Sequence, residues 1–210
     1  MRLRLFPVRD PWGRLRHEAP LALFGSGARH GFDWVFEGDS QVHVTTLDDI
    51  FTWLAECRYE TDVSLFREAD YWQHPRTFEQ LRRGDCEDFA LWAWRKLVEL
   101  GYDAELVVGR RVPPGSDNSR HAWVIFRHEG DEFVFEPVIR DRSTAIRPTS
   151  IVREEYIPEL GVSRERRRFF FAGYAYFLQN THLGRRRSDP GGSIGEYASS
   201  RGGLVPGRHT

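Results

Sequence analysis

The spacing of apolar residues predicts a long helix in the middle of the chain. From Cys86 to Leu100, apolar residues recur every three or four positions, which is typical of a helix with a buried face. Gly101 then supplies a stop signal at the C-terminal end. The predicted stripe comprises Cys86, Phe89, Ala90, Ala93, Leu97 and Leu100, widened by Trp92, Trp94 and Val98. This spacing places Cys86 on the buried side of the first turn, with Glu87 and Asp88 projecting elsewhere.

Two shorter helices are predicted upstream. In "TLDDIFTWLAEC", Thr46 is a suitable N-cap and Asp49 stands three residues later, as in a capping box. A second helix is predicted in "PRTFEQLRR", where Pro75 lies near the start.

After Gly101 the pattern becomes that of strands. "AELVVGRR", "HAWVIFR" and "EFVFEPV" are rich in Val, Phe and Ile, and the tight turn "HEGDE" predicts that the last two pair antiparallel. The loop "VPPGSDNSR" joins the first two strands and is expected to be mobile. Further strands are predicted in "DWVFEG", "SQVHVTT" and, as a last long strand, "RRRFFFAGYAYFLQ".

Composition narrows the class of protein. The chain has 210 residues, 40% of them hydrophobic, which suits one domain with a real core. Its 30 basic and 31 acidic residues give no basic field for nucleic acid, and no apolar run is long enough to span a membrane. We expect a domain over residues 1–182 and a disordered tail, rich in Gly, Ser and Arg, over 183–210. Since the N-terminus lacks a secretory pattern and two cysteines make no disulfide framework, a cytoplasmic location is expected.

Cys86 is the first candidate for chemistry, because acids flank it at a predicted helix start. A thiol is a good nucleophile only as thiolate, and its ordinary pKa is about 8.5. The positive end of the helix would lower that pKa, whereas Asp85, Glu87 and Asp88 would raise it. The site therefore needs a cation, and His121 is the best candidate.

His121 begins one predicted strand, and Glu136 lies among apolar residues in the next. In the predicted hairpin they are two residues out of register, which a bulge or a diagonal contact could absorb. Cysteine, histidine and acid then suit the roles of nucleophile, base and orienting group. The alternatives are a small core cysteine, a solvated histidine and an acid that ends an edge strand. Cys57, at a helix end, is interpreted as structural.

The segments "GDCEDFALWAWRKLVELGYDAELVVGRR", "RHAWVIFR" and "DEFVFEPV" resemble the transglutaminase-like superfamily of papain-fold cysteine enzymes. With the preceding "DYWQHPRTFEQLRRGDCED", they look closest to the bacterial transglutaminase-like cysteine proteinases. The resemblance covers residues 46–140 and implies an α+β, papain-like fold. In that fold, the cysteine starts a central helix packed on an antiparallel sheet. It also implies thioester chemistry at amide bonds.

Carried onto this chain, the resemblance makes Cys86 the nucleophile and His121 the general base and acid, with Glu136 in place of the usual aspartate. The oxyanion would be bound by the Cys86 N–H and by a tryptophan indole, for which Trp72 and Trp53 are the candidates. In some members of the group, acids beside the cysteine bind calcium.

Calcium binding by acids beside the cysteine would implicate Glu87 and Asp88 as ligands in this chain. The alternative is that these acids only stabilise the first turn of the helix, where acids are favoured. No other cofactor is expected.

The favoured function is a cysteine-dependent hydrolase or acyltransferase that acts on peptide or amide bonds. Hydrolysis is preferred among the outcomes, because water needs no second binding site. Its partner would be a peptide or protein substrate, with neither nucleic acid nor membrane involved. The alternative is an inactive module that keeps the fold and binds a peptide or partner protein. A Cys/His metal site is weaker, since no CxxC or HxxxH spacing is present.

Overall fold

An antiparallel sheet of six strands forms the frame of the molecule. The computed structural model describes residues 10–112 and 120–187, with side chains described to residue 181. The strands of the sheet are β3 (Asp103–Arg111), β4 (Arg120–His128), β5 (Asp131–Phe135), β6 (Ile146–Pro148), β7 (Tyr156–Val162) and β8 (Arg168–Phe170). Their order is β6-β5-β4-β3-β7-β8. Two short strands, β1 (Arg58–Tyr59) and β2 (Arg83–Gly84), form a separate parallel pair.

The helices surround one central member. They are α1 (Leu47–Ala55), α2 (Asp62–Leu65), α3 (Pro75–Leu81), α4 (Cys86–Glu99), α5 (Arg142–Ala145), α6 (Thr149–Val152) and α7 (Ala172–Arg187). Helix α4 packs against β3 and β4 on one side and against α1 and α3 on another. Because it is enclosed in this way, every residue from Glu87 to Leu97 is buried. The predicted fold class, a cysteine-bearing helix on an antiparallel sheet, is confirmed.

The core of the molecule is divided by the sheet. On the α4 side it contains two fully buried tryptophans whose indoles have partners: Trp92 donates to Glu79 Oε1 at 2.9 Å, and Trp94 donates to the Ala104 carbonyl at 3.1 Å. A second apolar cluster covers the other face and comprises Trp12, Val107, Trp123, Ile125, Val134, Val152, Tyr156, Phe169 and Phe171. The sheet is thus buried on both faces near its centre.

The predicted helix and hairpin signals are confirmed in detail. Thr46 caps α1 through the Asp49 amide, and Pro75 is the first residue of α3. Helix α4 begins after Asp85 and ends before Gly101, whose φ of +93° suits a residue without Cβ. In the β4–β5 hairpin, His128 pairs with Asp131 around a turn with two left-handed residues.

The two early strands predicted over 33–38 and 40–46 are wrong. Residues Phe32–Phe36 form a 3₁₀-helix, and no strand is assigned over 40–46. Side chains of α4 take the carbonyls that a sheet would use: Arg95 donates to Val35 and Gly38 at 3.1 and 2.7 Å, and Lys96 donates to the Val42 carbonyl at 2.7 Å. The local alternation of apolar residues was therefore overridden by a tertiary contact.

The last predicted strand is also wrong over most of its length. Only Arg168–Phe170 forms a strand, and Ala172–Arg187 is helical. The strand ends because the next amides pair with the N-terminal segment: the Ala172 N–H donates to the Gly13 carbonyl at 2.8 Å. The boundary predicted at residue 183 falls inside this helix, whereas the predicted disorder of residues 188–210 and most of the predicted mobile loop (113–119) lie outside the described residues. Among the described helices, none is long and apolar enough to cross a membrane.

Candidate active site

Cys86 is held at the start of α4 by the strand pair in front of it. Tyr59 of β1 lies beside Gly84 of β2, and Asp85 then caps the helix. At Gly84 a Cβ would collide with the carboxylate of Asp88 and the amide of Gln73, so glycine is required there. Asp88 in turn accepts hydrogen bonds from the Gln73 backbone at 2.8 Å and the Asp85 backbone at 3.3 Å. These contacts fix the backbone that leads into Cys86.

One cavity brings the predicted residues together. It has a volume of about 290 Å³, and both Cys86 and His121 line it. Around them stand Tyr59, Asp62, Asp70, Trp72, Asp85, Glu87, Val108, Arg120 and Ala122, among others. The start of helix α4 and the start of strand β4 therefore face a common cleft.

The histidine and the acid are in direct contact. His121 Nε2 lies 2.7 Å from Glu136 Oε2, and the Glu136 side chain is 1% exposed. Strands β4 and β5 run in register from the turn without a shift, so the contact is diagonal and needs no bulge. The extra methylene of glutamate thus does not prevent the carboxylate from reaching the imidazole.

The thiol of Cys86 has acidic neighbours. Its Sγ donates to Glu87 Oε2 at 3.2 Å. Burial, followed by the charges of Glu87 and Asp85, raises the pKa of this thiol well above its ordinary value, and the backbone N–H of Ala122 opposes the shift. This direction is opposite to the one expected from the helix start and the nearby imidazole. Burial is the largest cause of the shift, and the charges of the two neighbouring carboxylates add to it.

Five carboxylates, which we call the acid cluster, crowd this end of the cavity: Asp62, Asp70, Asp85, Glu87 and Asp88. The side chains of Glu87 and Asp88, predicted to project in other directions than Cys86, are both buried because the helix is enclosed. Burial is the main cause that raises the pKa of four members, Asp62 (to about 6), Asp85, Glu87 and Asp88. Such acids are costly to keep charged without a cation.

Sequence reasoning missed Asp62 and Asp70 as members of this cluster. Asp62 starts the short helix α2, and Asp70 is held by the Gly27 amide at 2.7 Å and the Ser26 hydroxyl at 3.1 Å. Neither has a periodic or motif signal, because loops bring both residues to the site. The only hint was that "DYWQHP", which contains Asp70, precedes the cysteine closely.

The chemistry of the acid cluster suits a hard cation. Possible ligand atoms lie within 4.8 Å of one another in each of three overlapping groups. Two groups consist of carboxylates and include Asp62, and the third joins Asp85 and Glu87 to the Cys86 sulfur. Oδ1 of Asp62 and Oδ1 of Asp85 are buried and accept no hydrogen bond from the residues that the structure describes. Buried carboxylate oxygens without donors are the ligands that calcium prefers.

The two candidate indoles differ in position. Trp72 lines the cavity, and its Nε1 donates to Asp70 Oδ1 at 2.9 Å. Trp53 is stacked on Trp92 in the core, with ring centroids 4.1 Å apart. Trp72 is thus the one at the site, although its N–H has a partner in this structure. Cys57 is buried, which raises the pKa of its thiol to about 12, in line with a structural role.

Comparisons with known proteins identify a family for the chain. A sequence model described as bacterial transglutaminase-like cysteine proteinase matches residues 39–149. No curated protein sequence matches the chain.

Among solved structures, LapG of Legionella pneumophila is 20% identical, with a TM-score of 0.48, 75% of this chain and 83% of that chain covered. Its calcium-bound form is 19% identical, with a TM-score of 0.47 and coverages of 71% and 84%. The crystal structure of a TGase is 16% identical, with a TM-score of 0.33 and coverages of 49% of this chain and 28% of that chain.

Proposed function

The chain belongs to the bacterial transglutaminase-like cysteine proteinases, and we propose that it hydrolyses peptide or amide bonds through a thioester on Cys86. The contact between His121 and Glu136 at 2.7 Å, beside the cavity that Cys86 lines, carries this proposal. At the family level the substrates are peptides or proteins. A cytoplasmic location remains part of the proposal.

Acylation begins when His121 takes the thiol proton and Sγ attacks the carbonyl carbon of the substrate. The new C–S bond moves the π electrons of the carbonyl onto its oxygen. The Cys86 amide can bind that oxyanion, since the first amides of a helix have no partner within the helix. When the intermediate collapses, the C–N bond breaks and the imidazolium gives its proton to the leaving amine.

Deacylation repeats these steps with water. Neutral His121 takes a proton from the water molecule, whose oxygen attacks the thioester carbon. The C–S bond then breaks, the acid product leaves, and the thiolate regains its proton. Throughout the cycle Glu136 holds the imidazole through Nε2 and stabilises its charged form.

We propose that the acid cluster binds calcium, with Asp62, Asp70, Asp85 and Glu87 as the residues that would hold the ion. When bound, the ion would supply positive charge that offsets the carboxylates around the thiol. Asp88 is not included among these ligands, because its carboxylate accepts hydrogen bonds from the Gln73 and Asp85 backbones and so has a structural role.

A generic acyl donor tests the proposal without knowledge of the substrate. The protein in calcium is mixed with p-nitrophenyl acetate, and intact mass spectrometry follows the acetyl group. We expect release of p-nitrophenolate and a transient acetyl adduct on Cys86, with neither seen for Cys86→Ala. Cys57→Ala is the matched control and should react normally. An adduct that forms equally on the His121→Ala variant would refute the proposed role of the imidazole.

An inactive module that binds a peptide is the second candidate function. It is favoured by the bond from Sγ to Glu87 and by the raised pKa of the thiol, both of which oppose nucleophilic attack. Such a module would bind peptides but form no acetyl adduct at any calcium concentration.

A further inference from the structure

A second donor binds the carboxylate that orients His121. The hydroxyl of Tyr156 lies 3.2 Å from Glu136 Oε2, the same oxygen that contacts His121 Nε2. Tyr156 and Glu136 are both fully buried. The other oxygen, Oε1, accepts no hydrogen bond from the described residues. The carboxylate is therefore held through one oxygen by two groups on two different strands.

The direction of the bond between Tyr156 and Glu136 follows from the chemistry of the two groups. A carboxylate only accepts hydrogen bonds, so the Tyr156 hydroxyl donates to Glu136 Oε2. Burial also raises the pKa of Tyr156, so the hydroxyl keeps its proton.

Glutamate needs such a restraint more than aspartate does. It has one more rotatable bond, so an unrestrained carboxylate could turn away from the imidazole. An ionised carboxylate only accepts hydrogen bonds, hence His121 meets it with Nε2–H. That tautomer leaves Nδ1 free of its proton for exchange with the substrate and the thiol.

We propose that Tyr156 is a positioning residue of the candidate active site. Its hydroxyl fixes Glu136 Oε2 so that neutral His121 stays in the Nε2–H tautomer. The effect on catalysis rests on the proposed function, whereas the effect on the tautomer does not.

The test is Tyr156→Phe, with Tyr102→Phe as the matched control at the far end of α4. Two-dimensional ¹⁵N NMR of the full chain reports the protonated nitrogen of His121, assigned from the peaks lost in His121→Gln. We expect pure Nε2–H in the parent protein and in the control, and a mixture of tautomers in Tyr156→Phe.

Turnover of p-nitrophenyl acetate in calcium should show kcat lowered about 10-fold by Tyr156→Phe and KM changed by less than about twofold. In a Glu136→Gln background the same substitution should add no further loss, because the tyrosine acts through that carboxylate.

An unchanged tautomer in a folded Tyr156→Phe protein would overturn the inference. So would an equal loss of kcat in the Glu136→Gln background, since the tyrosine would then act by another route. Failure of the proposed function looks different: Cys86→Ala would keep the parent turnover, and the NMR comparison would still decide the role of Tyr156.

Discussion

Replacing Asp62 with asparagine should stabilise the calcium-free protein at neutral pH. The Asp62 side chain is buried in the acid cluster, and burial raises its pKa from 3.8 to about 6. That difference corresponds to ~3 kcal/mol of folding free energy, lost when the carboxyl must ionise. Asparagine has no charge to bury, and its amide oxygen can still accept from the Tyr71 backbone, now 2.6 Å from Oδ2.

The sign of the pH dependence follows from linkage. The folded state binds the Asp62 proton more tightly than the unfolded state does, so stability falls as pH rises from about 4 to about 6. His74, whose pKa is lowered mainly by burial, acts in the opposite direction, because the unfolded chain gains its proton first as pH falls. His74 is present in both proteins, hence it does not contribute to the difference between them. Loss of the Asp62 charge also relieves part of the raised pKa of Asp88, which acts in the same direction as the loss of Asp62 itself.

The assay is urea unfolding at pH 7 and pH 5 with a chelator, followed by tryptophan fluorescence. We expect the free energy of unfolding of Asp62→Asn to exceed that of the parent protein by up to ~3 kcal/mol at pH 7 and by clearly less at pH 5. Asp33→Asn is the control, since this carboxylate is exposed and should show no such difference. Calcium at about 100 times its Kd should add about 2.7 kcal/mol to the parent protein. It should add less to the variant. If the free energies of unfolding of the variant and the parent differ by the same amount at both pH values, the reasoning is refuted.

Three further predictions concern the thiol, the triad and the core. Alkylation of Cys86 by iodoacetamide, followed by mass spectrometry against pH, should be slow at pH 7 with a chelator. Calcium should speed it, while Cys57 stays unreactive; no calcium effect would contradict the proposed ion. Glu136→Gln should lower kcat with p-nitrophenyl acetate by about 100-fold or more in a folded protein, and unchanged kcat would exclude the acid from the triad. Trp94→Ala should cost about 3–5 kcal/mol in urea unfolding, and a cost below about 1 kcal/mol would mean that α4 is less tightly enclosed than the structure indicates.

The sequence predicted those parts whose signals are local. Helix α4, its start at Cys86 and the β4–β5 hairpin follow from periodicity, caps and a turn, and these place His121 near Glu136. The early strands failed because Arg95 and Lys96, remote in sequence, take the carbonyls of that segment. Helical periodicity likewise does not indicate the burial of Glu87, which lies outside the predicted apolar stripe.

Asp62 and Asp70 could not be predicted for a related reason. Each is one acid among many, and only the folded loops bring them within reach of Glu87. The same holds for Tyr156, which lies 20 residues from Glu136 and shares no motif with it. Such residues surround the catalytic side chains but come from distant strands and loops, so they have no local sequence signal.

Glu87 connects the Cys86 thiol to the acid cluster. It accepts the hydrogen of the Cys86 thiol and also belongs to a group of possible metal ligands with Asp62 and Asp70. An ion bound by that group would compete with the thiol for the Glu87 carboxylate and lessen the negative field at sulfur. The carboxylates that help to raise the pKa of this thiol are therefore those through which a cation would activate it. An inactive module would have no need for that dependence, so a response of Cys86 reactivity to calcium distinguishes the two functions better than the reactivity alone.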